Sequence, residues 1–238
     1  MSLDIQLSPH LDRAALAAAF ARDGHVHIPG LLRAADAQAL YEALAFKTPW
    51  RLMLIHDGPT ELTQEQWAAM PREQREKIDA ELMAAGKERF EGRFLSFRFS
   101  DDGEVYDGAP EELAALSRFL NGDEFLAFTR AVTGKSQIAL ADGQATLYRP
   151  GDFLHIHDDI FAEKKRLAAY VLNLTPRWKP EWGGLLGFVD ADDHVKRAFT
   201  PAFNALNLLA VPQRHFVSSV AAFGSEGRYA VTGWLRRR

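Results

Sequence analysis

Past Gly134 the chain divides into eight short apolar or alternating runs, near 137–148, 153–158, 167–174, 184–189, 195–199, 205–211, 215–221 and 228–235. Glycine, proline, aspartate and asparagine separate them. Short, evenly spaced strands bounded by turn residues are the signature of an all-β barrel or jelly roll. No other feature of the chain restricts its fold as strongly.

The first half reads mainly helical. Ser8-Pro9 resembles an N-cap followed by proline in the first turn, leading into Leu11, Ala15, Leu16 and Phe20 at helical spacing, with Gly24 placed to stop the helix. His25-Val26-His27-Ile28-Pro29-Gly30 alternates like a short strand, and a second helix is expected from Ala34 to Ala45. From about 50 to 93 the chain is polar, charged and rich in helix formers, which predicts an inserted helical hairpin. Trp50, Trp67 and Phe94, in or beside it, could form a lid or simply pack against the barrel. Phe94 to Ser100 alternates as a strand closed by Asp101-Asp102-Gly103, and two more helices are expected near 110–120 and 123–132. No repeat, low-complexity tract or linker interrupts the chain. The expected fold class is α+β with a mainly β core. It is a single domain, 1–238, in which a double-stranded β-helix (jelly roll) over 134–238 is buttressed by N-terminal helices within 1–133.

Composition removes several functions. The 238 residues are 47% hydrophobic and 25% charged, with a formal net charge of -4, so neither nucleic acid nor anionic lipid is an expected partner. There is no cysteine, which excludes disulfides, zinc-thiolate sites, iron–sulfur clusters and thiol nucleophiles, and which fits a reducing cytoplasm. The N-terminus lacks the pattern of a signal peptide, and no apolar run approaches the ~20 residues that cross a bilayer. Any metal must be held by His, Asp or Glu. Oligomeric state is left open.

The chemistry concentrates in Tyr148-Arg149-Pro150-Gly151-Asp152-Phe153-Leu154-His155-Ile156-His157-Asp158-Asp159. Residues two apart on a strand share a face, so His157 and Asp159 can ligate one metal while Asp158 points away. By the same parity His155 shares that face, as a rival ligand or a supporting group. A lone histidine, His215, opens a later strand, and Arg228 opens the last one. His-x-Asp alone is a common surface pair, a single histidine at a strand start is ordinarily structural, and a single arginine there is ordinarily exposed. Together, however, two imidazoles and a carboxylate suit non-haem Fe(II), leaving metal positions open. The planar fork of an arginine suits a carboxylate of a co-substrate.

The order of elements is specific. Tyr148…Gly151-Asp152 leads into His157-Asp158-Asp159, then the strand Arg166 to Leu174, Trp178…Gly183-Gly184, Pro201-Ala202-Phe203-Asn204, His215, and Arg228…Gly233-Trp234. Residues 144–236 thereby resemble the catalytic core of the prolyl 4-hydroxylase-like branch of Fe(II)/2-oxoglutarate oxygenases. One departure is Leu185-Leu186, where an acidic residue usually follows the glycine pair. The resemblance implies that His157, Asp159 and His215 bind Fe(II). It implies that Arg228 holds the distal carboxylate of 2-oxoglutarate, with Tyr148 lining that pocket. O2 would be the oxidant, ascorbate an optional reductant, and succinate and CO2 the co-products of hydroxylating an unactivated C–H bond. The implied substrate is prolyl, in a peptide, a protein or a free amino acid. Retention of Asp159 favours hydroxylation over halogenation. Asn173 and Thr232 are candidates for orienting the ligands, and Arg98 and Arg166 for meeting a substrate carboxylate. Two other readings stay open. One is a cupin-like metalloenzyme without 2-oxoglutarate, suggested by His155-Ile156-His157. The other is a non-catalytic jelly-roll binding module.

Overall fold

The computed structural model describes residues 3–224 and 226–238. In chain order its first half contains α1 (Arg13–Asp23), β1 (His25–Pro29), α2 (Ala34–Phe46), β2 (Arg51–Ile55), β3 (Pro59–Thr63), α3 (Gln64–Ala69), α4 (Arg72–Ala85), β4 (Gly92–Asp101), β5 (Glu104–Val105), α5 (Glu111–Leu120) and α6 (Asp123–Thr133). The second half is strand after strand: β6 (Leu140–Ala141), β7 (Gly143–Tyr148), β8 (Phe153–His157), β9 (Arg166–Asn173), β10 (Leu186–Val189), β11 (Val195–Phe199), β12 (Ala205–Ala210), β13 (His215–Val217) and β14 (Arg228–Arg236). All eight short runs form strands, the seventh shortened to 215–217.

Two local expectations are corrected. Helix α1 starts after Asp12, whose carboxylate accepts from the Ala15 N–H at 3.0 Å, and not at Ser8-Pro9. Leu7 bridges to Leu32 and the Ser8 N–H donates to the Leu31 carbonyl, a pairing that a helix over these residues would forbid. Gly24, at φ +72, does end the helix, donating to the Phe20 carbonyl. The segment 50–93 opens as an antiparallel hairpin, β2–β3, and is helical only over α3 and α4. Leu52 and Leu54 alternate into the core and seat β2 along β4, so burial outweighs the helix propensity of their polar neighbours.

The strands follow one antiparallel path, β1-β12-β9-β14-β7-β4-β8-β13-β10-β11. It curls into a nearly closed jelly roll. The His25 ring on β1 stacks on Phe188 of β10 at 4.0 Å, drawing the two ends together. Alternation gives the strands two faces. Tyr170, Leu172 and Leu174 join the large core with Leu113, Leu116, Phe125 and Phe128 of α5 and α6. Ala169 and Val171, at alternate positions, face an interior cavity. The helices thus back one side of the roll and leave its interior for chemistry. Among the described residues no helix is long and apolar enough to cross a membrane.

Candidate metal centre

His157 ends β8 and His215 begins β13, and the two are directly paired across the strands. The next pair on β13, Val217, lies opposite Leu154, so three steps along β8 match two along β13. A bulge of this kind breaks the period of two. Leu154 and His157 therefore both line the interior cavity. His155 turns away, with its ring 4.8 Å from that of Phe153 and its Nδ1 3.1 Å from the Arg89 carbonyl oxygen. His155 is thus not a rival ligand, and the parity that suggested it fails at the bulge. Asp159 lies beyond the strand end with φ +64, in the left-handed region that Asp tolerates better than most residues. A turn, rather than strand alternation, returns its carboxylate to the cavity.

Three donor atoms converge there. The His157 Nε2 lies 3.7 Å from Asp159 Oδ1, the His215 Nε2 lies 3.4 Å from Asp159 Oδ2, and the three ligand atoms lie within 4.8 Å of one another. Ligands ~2.1 Å from one metal are about 3.0 Å apart at right angles and about 3.4 Å apart in a tetrahedron. The two His–Asp separations are near these values, and the three ligand atoms must draw somewhat closer together to close on an ion. Both imidazoles are pre-set. His157 Nδ1 is 2.8 Å from the His155 carbonyl oxygen and His215 Nδ1 is 2.7 Å from that of Gln213. These contacts place the ring proton on Nδ1 and the lone pair on Nε2. Burial, with His157 alongside, pushes the His215 pKa down to about 4, so its ring is neutral at physiological pH.

Arg166, which the sequence offered as a contact for a substrate carboxylate, instead supports the turn that carries Asp159. Its guanidinium lies 3.5 Å from the centroid of the Trp234 ring, and its Nη1 donates to the Asp159 backbone carbonyl at 3.1 Å. It is 3.9 Å from the Asp159 carboxylate, so it fixes the turn that carries this ligand. Asn173 and Thr232 do not reach the ligands. They donate instead to the Ala205 and Gln144 carbonyls. Arg98 faces Asp101 at 3.6 Å. A second acidic group, Asp101, Asp102 and Asp142, is held by Arg236 and Lys164 and needs no metal to explain it.

The same interior cavity, about 110 Å³, is lined by Arg228 and Tyr148, a directly paired couple on β14 and β7. Arg228 is 1% exposed, yet among the described residues its side chain donates no hydrogen bond and meets no carboxylate; its Nε is buried without a partner. The guanidinium lies 5.1 Å from the centroid of the Tyr148 ring, which stacks on Phe94 at 5.0 Å. Gly184 makes the room, since a Cβ there would sit 3.1 Å from Arg228 Cδ. Burial lowers the Arg228 pKa and raises that of the Tyr148 phenol, so the site holds a cation beside a neutral hydroxyl. An unpaired buried guanidinium costs several kcal/mol unless an anion meets it. Of the aromatic lid candidates, only Phe94 lines this cavity; Trp50 donates to the Leu44 carbonyl within the main core, and Trp67 packs against that core.

Comparison with known proteins agrees with this arrangement. Residues 143–236 match the 2OG-Fe(II) oxygenase superfamily. The chain is 26% identical over 145 residues to mouse (Mus musculus) prolyl 3-hydroxylase OGFOD1, a match covering 58% of this chain and 26% of that protein, so it spans about a quarter of that relative's length. The fold is shared with a prolyl-4-hydroxylase of Pseudomonas putida, at TM-score 0.58 and 20% identity, covering 95% of this chain and 99% of that one. It is also shared with a 2OG-Fe(II) oxygenase family oxidoreductase of Burkholderia pseudomallei, at TM-score 0.65 and 16% identity, covering 98% and 94%.

Proposed function

We propose, for a chain whose residues 143–236 match the 2OG-Fe(II) oxygenase superfamily, a 2-oxoglutarate-dependent hydroxylase acting on a prolyl C–H bond. The single observation that carries this reading is Arg228, a buried cation with no internal partner in the cavity that also receives His157, Asp159 and His215. A metal site alone would not need it. A metal site that also binds a dicarboxylate would.

In this reading His157 Nε2, His215 Nε2 and one Asp159 oxygen would hold Fe(II), a metal that three protein ligands suit for chemistry with a co-substrate and O2. Arg228 pairs with the far carboxylate of 2-oxoglutarate, and Tyr148 and Phe94 wall that carboxylate from water. When bound, Fe(II) and 2-oxoglutarate supply dioxygen activation, with succinate and CO2 as co-products. The chain's own work is positional. The carbonyls of His155 and Gln213 keep both imidazoles in the ligating tautomer, Arg166 holds the Asp159 turn, and the apolar walls Leu154, Val217 and Leu186 keep water from the reacting centre.

The prolyl substrate, preferably within a polypeptide, is supported by the names of the two similar prolyl hydroxylases, which differ in the ring position they oxidise. A cytoplasmic setting is consistent with a chain that has no cysteine. A cupin-like site without 2-oxoglutarate would leave Arg228 charged, buried and idle. The test is an anaerobic titration of the metal-free protein with Fe(II) and then 2-oxoglutarate, followed by the visible charge-transfer band of the chelate. Asp159→Ala should abolish the band. Iron uptake without a band would overturn the co-substrate assignment, and no iron uptake would overturn the reading altogether.

A further inference from the structure

Beside the metal cavity lies a second, larger depression of about 730 Å³ that the proposed chemistry does not use. One wall is the end of α4 and the chain after it, with Met83, Gly86, Lys87 and Phe90; the others come from β8, β13 and the β10–β11 turn. Leu154 and Val217 line both this groove and the metal cavity. Phe90 joins them as well: it lines the groove while its ring lies 5.6 Å from that of His157. The groove thus adjoins the metal centre.

Its surface is apolar where a core would be covered. Met83, Phe90, Ile156 and Val195 are 52%, 45%, 39% and 57% exposed, and all four line it. Four large apolar side chains converging on one depression mark an interaction surface rather than scattered surface residues. Its charges are unequal. Asp193 is engaged by Arg214 at 2.5 Å, and Arg89 pairs with Asp57. Lys87 pairs with no carboxylate among the described residues, although the chain as a whole is acidic. The uncompensated charge on this rim is therefore positive.

Resting on the reading of the site as a prolyl hydroxylase, we infer that this groove binds the stretch of polypeptide beside the target proline. The groove selects an apolar side chain against Phe90 and Ile156, followed by an acidic residue toward Lys87. A free amino acid would leave the groove empty. An extended segment whose proline enters the metal cavity would pass Phe90 on its way out. Phe90 is the specificity-determining residue for the apolar position and Lys87 for the acidic one.

The test uses the full chain loaded anaerobically with Fe(II) and 2-oxoglutarate, so the visible band reports the metal site independently of the groove. Fluorescein-labelled peptides with a central proline carry an apolar-then-glutamate flank on either the N- or the C-terminal side. Matched peptides carry lysine in place of the glutamate. Binding is read by anisotropy, without turnover. One of the glutamate peptides should bind about threefold to fivefold tighter than its lysine counterpart, as expected for a partly exposed charge pair. Lys87→Glu should reverse that preference, and Phe90→Ala should weaken both peptides about tenfold. Neither substitution should alter the band. Unchanged preference in Lys87→Glu, or no peptide binding by protein that still shows the band, would overturn the inference. Loss of the band in the wild type would instead indict the metal-site reading on which it rests.

Discussion

Replacing Arg228 with methionine should make the ligand-free protein more stable while removing its affinity for 2-oxoglutarate, and few substitutions separate those two quantities so cleanly. Methionine keeps much of the buried aliphatic stem and removes a charge that is 1% exposed and has no internal partner. Exchanging even a paired buried ion for a hydrophobic side chain commonly stabilises by about 1–4 kcal/mol. An unpaired one should give at least the lower end. For a chain of this size each kcal/mol moves the midpoint roughly 2–4 °C, so the variant should melt a few degrees higher. With 2-oxoglutarate the order reverses. The lost charge-assisted pair is worth about 3–5 kcal/mol, a roughly 10²- to 10⁴-fold weaker Kd. Calorimetric melting with and without co-substrate measures both effects. Wild type at 100 times its Kd gains about 2.7 kcal/mol, and the variant at the same concentration gains almost nothing. A variant that melts lower than wild type and is still stabilised by 2-oxoglutarate would show that Arg228 is structural, and the argument from its missing partner would be wrong.

The other predictions concern the ligands and their supports. His157→Ala should lose iron binding, whereas His155→Ala should keep it and lose only about 1 kcal/mol of stability from its contacts with the 89–91 segment; equilibrium dialysis with Fe(II) and urea melts compare the two. Arg166→Met should lower metal affinity roughly 10- to 100-fold by freeing the Asp159 turn, with lysine restoring little because it lacks the planar stack on Trp234. Acid should destabilise the metal-free protein through His215. Its folded pKa, about 4, lies below the unfolded value near 6.5, so the contribution is complete above about pH 6.5 and is lost as pH falls toward 4. That loss amounts to about 2 kcal/mol between pH 7 and pH 5, and His215→Asn should lack it; equal pH slopes in urea titrations of both proteins would refute the assignment.

Much of this architecture is legible in the sequence because alternation and turn residues are strong local signals. The strands from β7 to β14 and the face Arg228, Thr232, Trp234 of β14 all follow from a period of two. What stayed hidden depends on pairing between distant residues. The bulge that turns His155 outward exists only because β8 and β13 are matched out of step, and neither strand announces it. The hairpin over 51–63 was masked by charged neighbours, since Leu52 and Leu54 gain their burial only against β4. Arg166 reads as an exposed strand-start arginine until Trp234, at the far end of the chain, arrives beneath it. In each case the missing information is the partner and not the residue.

The cavity gathers several states that are unfavourable on their own: a guanidinium without an anion, an imidazole held neutral by burial, and an aspartate at positive φ. The first is relieved by an anion, and the other two leave a lone pair and a carboxylate set for a metal. An anion answers Arg228. A metal cation uses the lone pair of His215 and gives the Asp159 carboxylate a counter-charge in place of bulk water. The helices packed behind β9 and β14 supply the stability that lets the interior remain so poorly satisfied when empty. Metal and co-substrate should therefore bind with positive coupling, since the cation lowers the cost of bringing a dianion into a cavity of about 110 Å³ and the dianion does the same for the cation. By reciprocity, the factor by which Fe(II) tightens 2-oxoglutarate must equal the factor by which 2-oxoglutarate tightens Fe(II). Paired calorimetric titrations in both orders would measure it. Independent binding of the two would mean that Arg228 and the His157–Asp159–His215 cluster do not serve one ligand assembly.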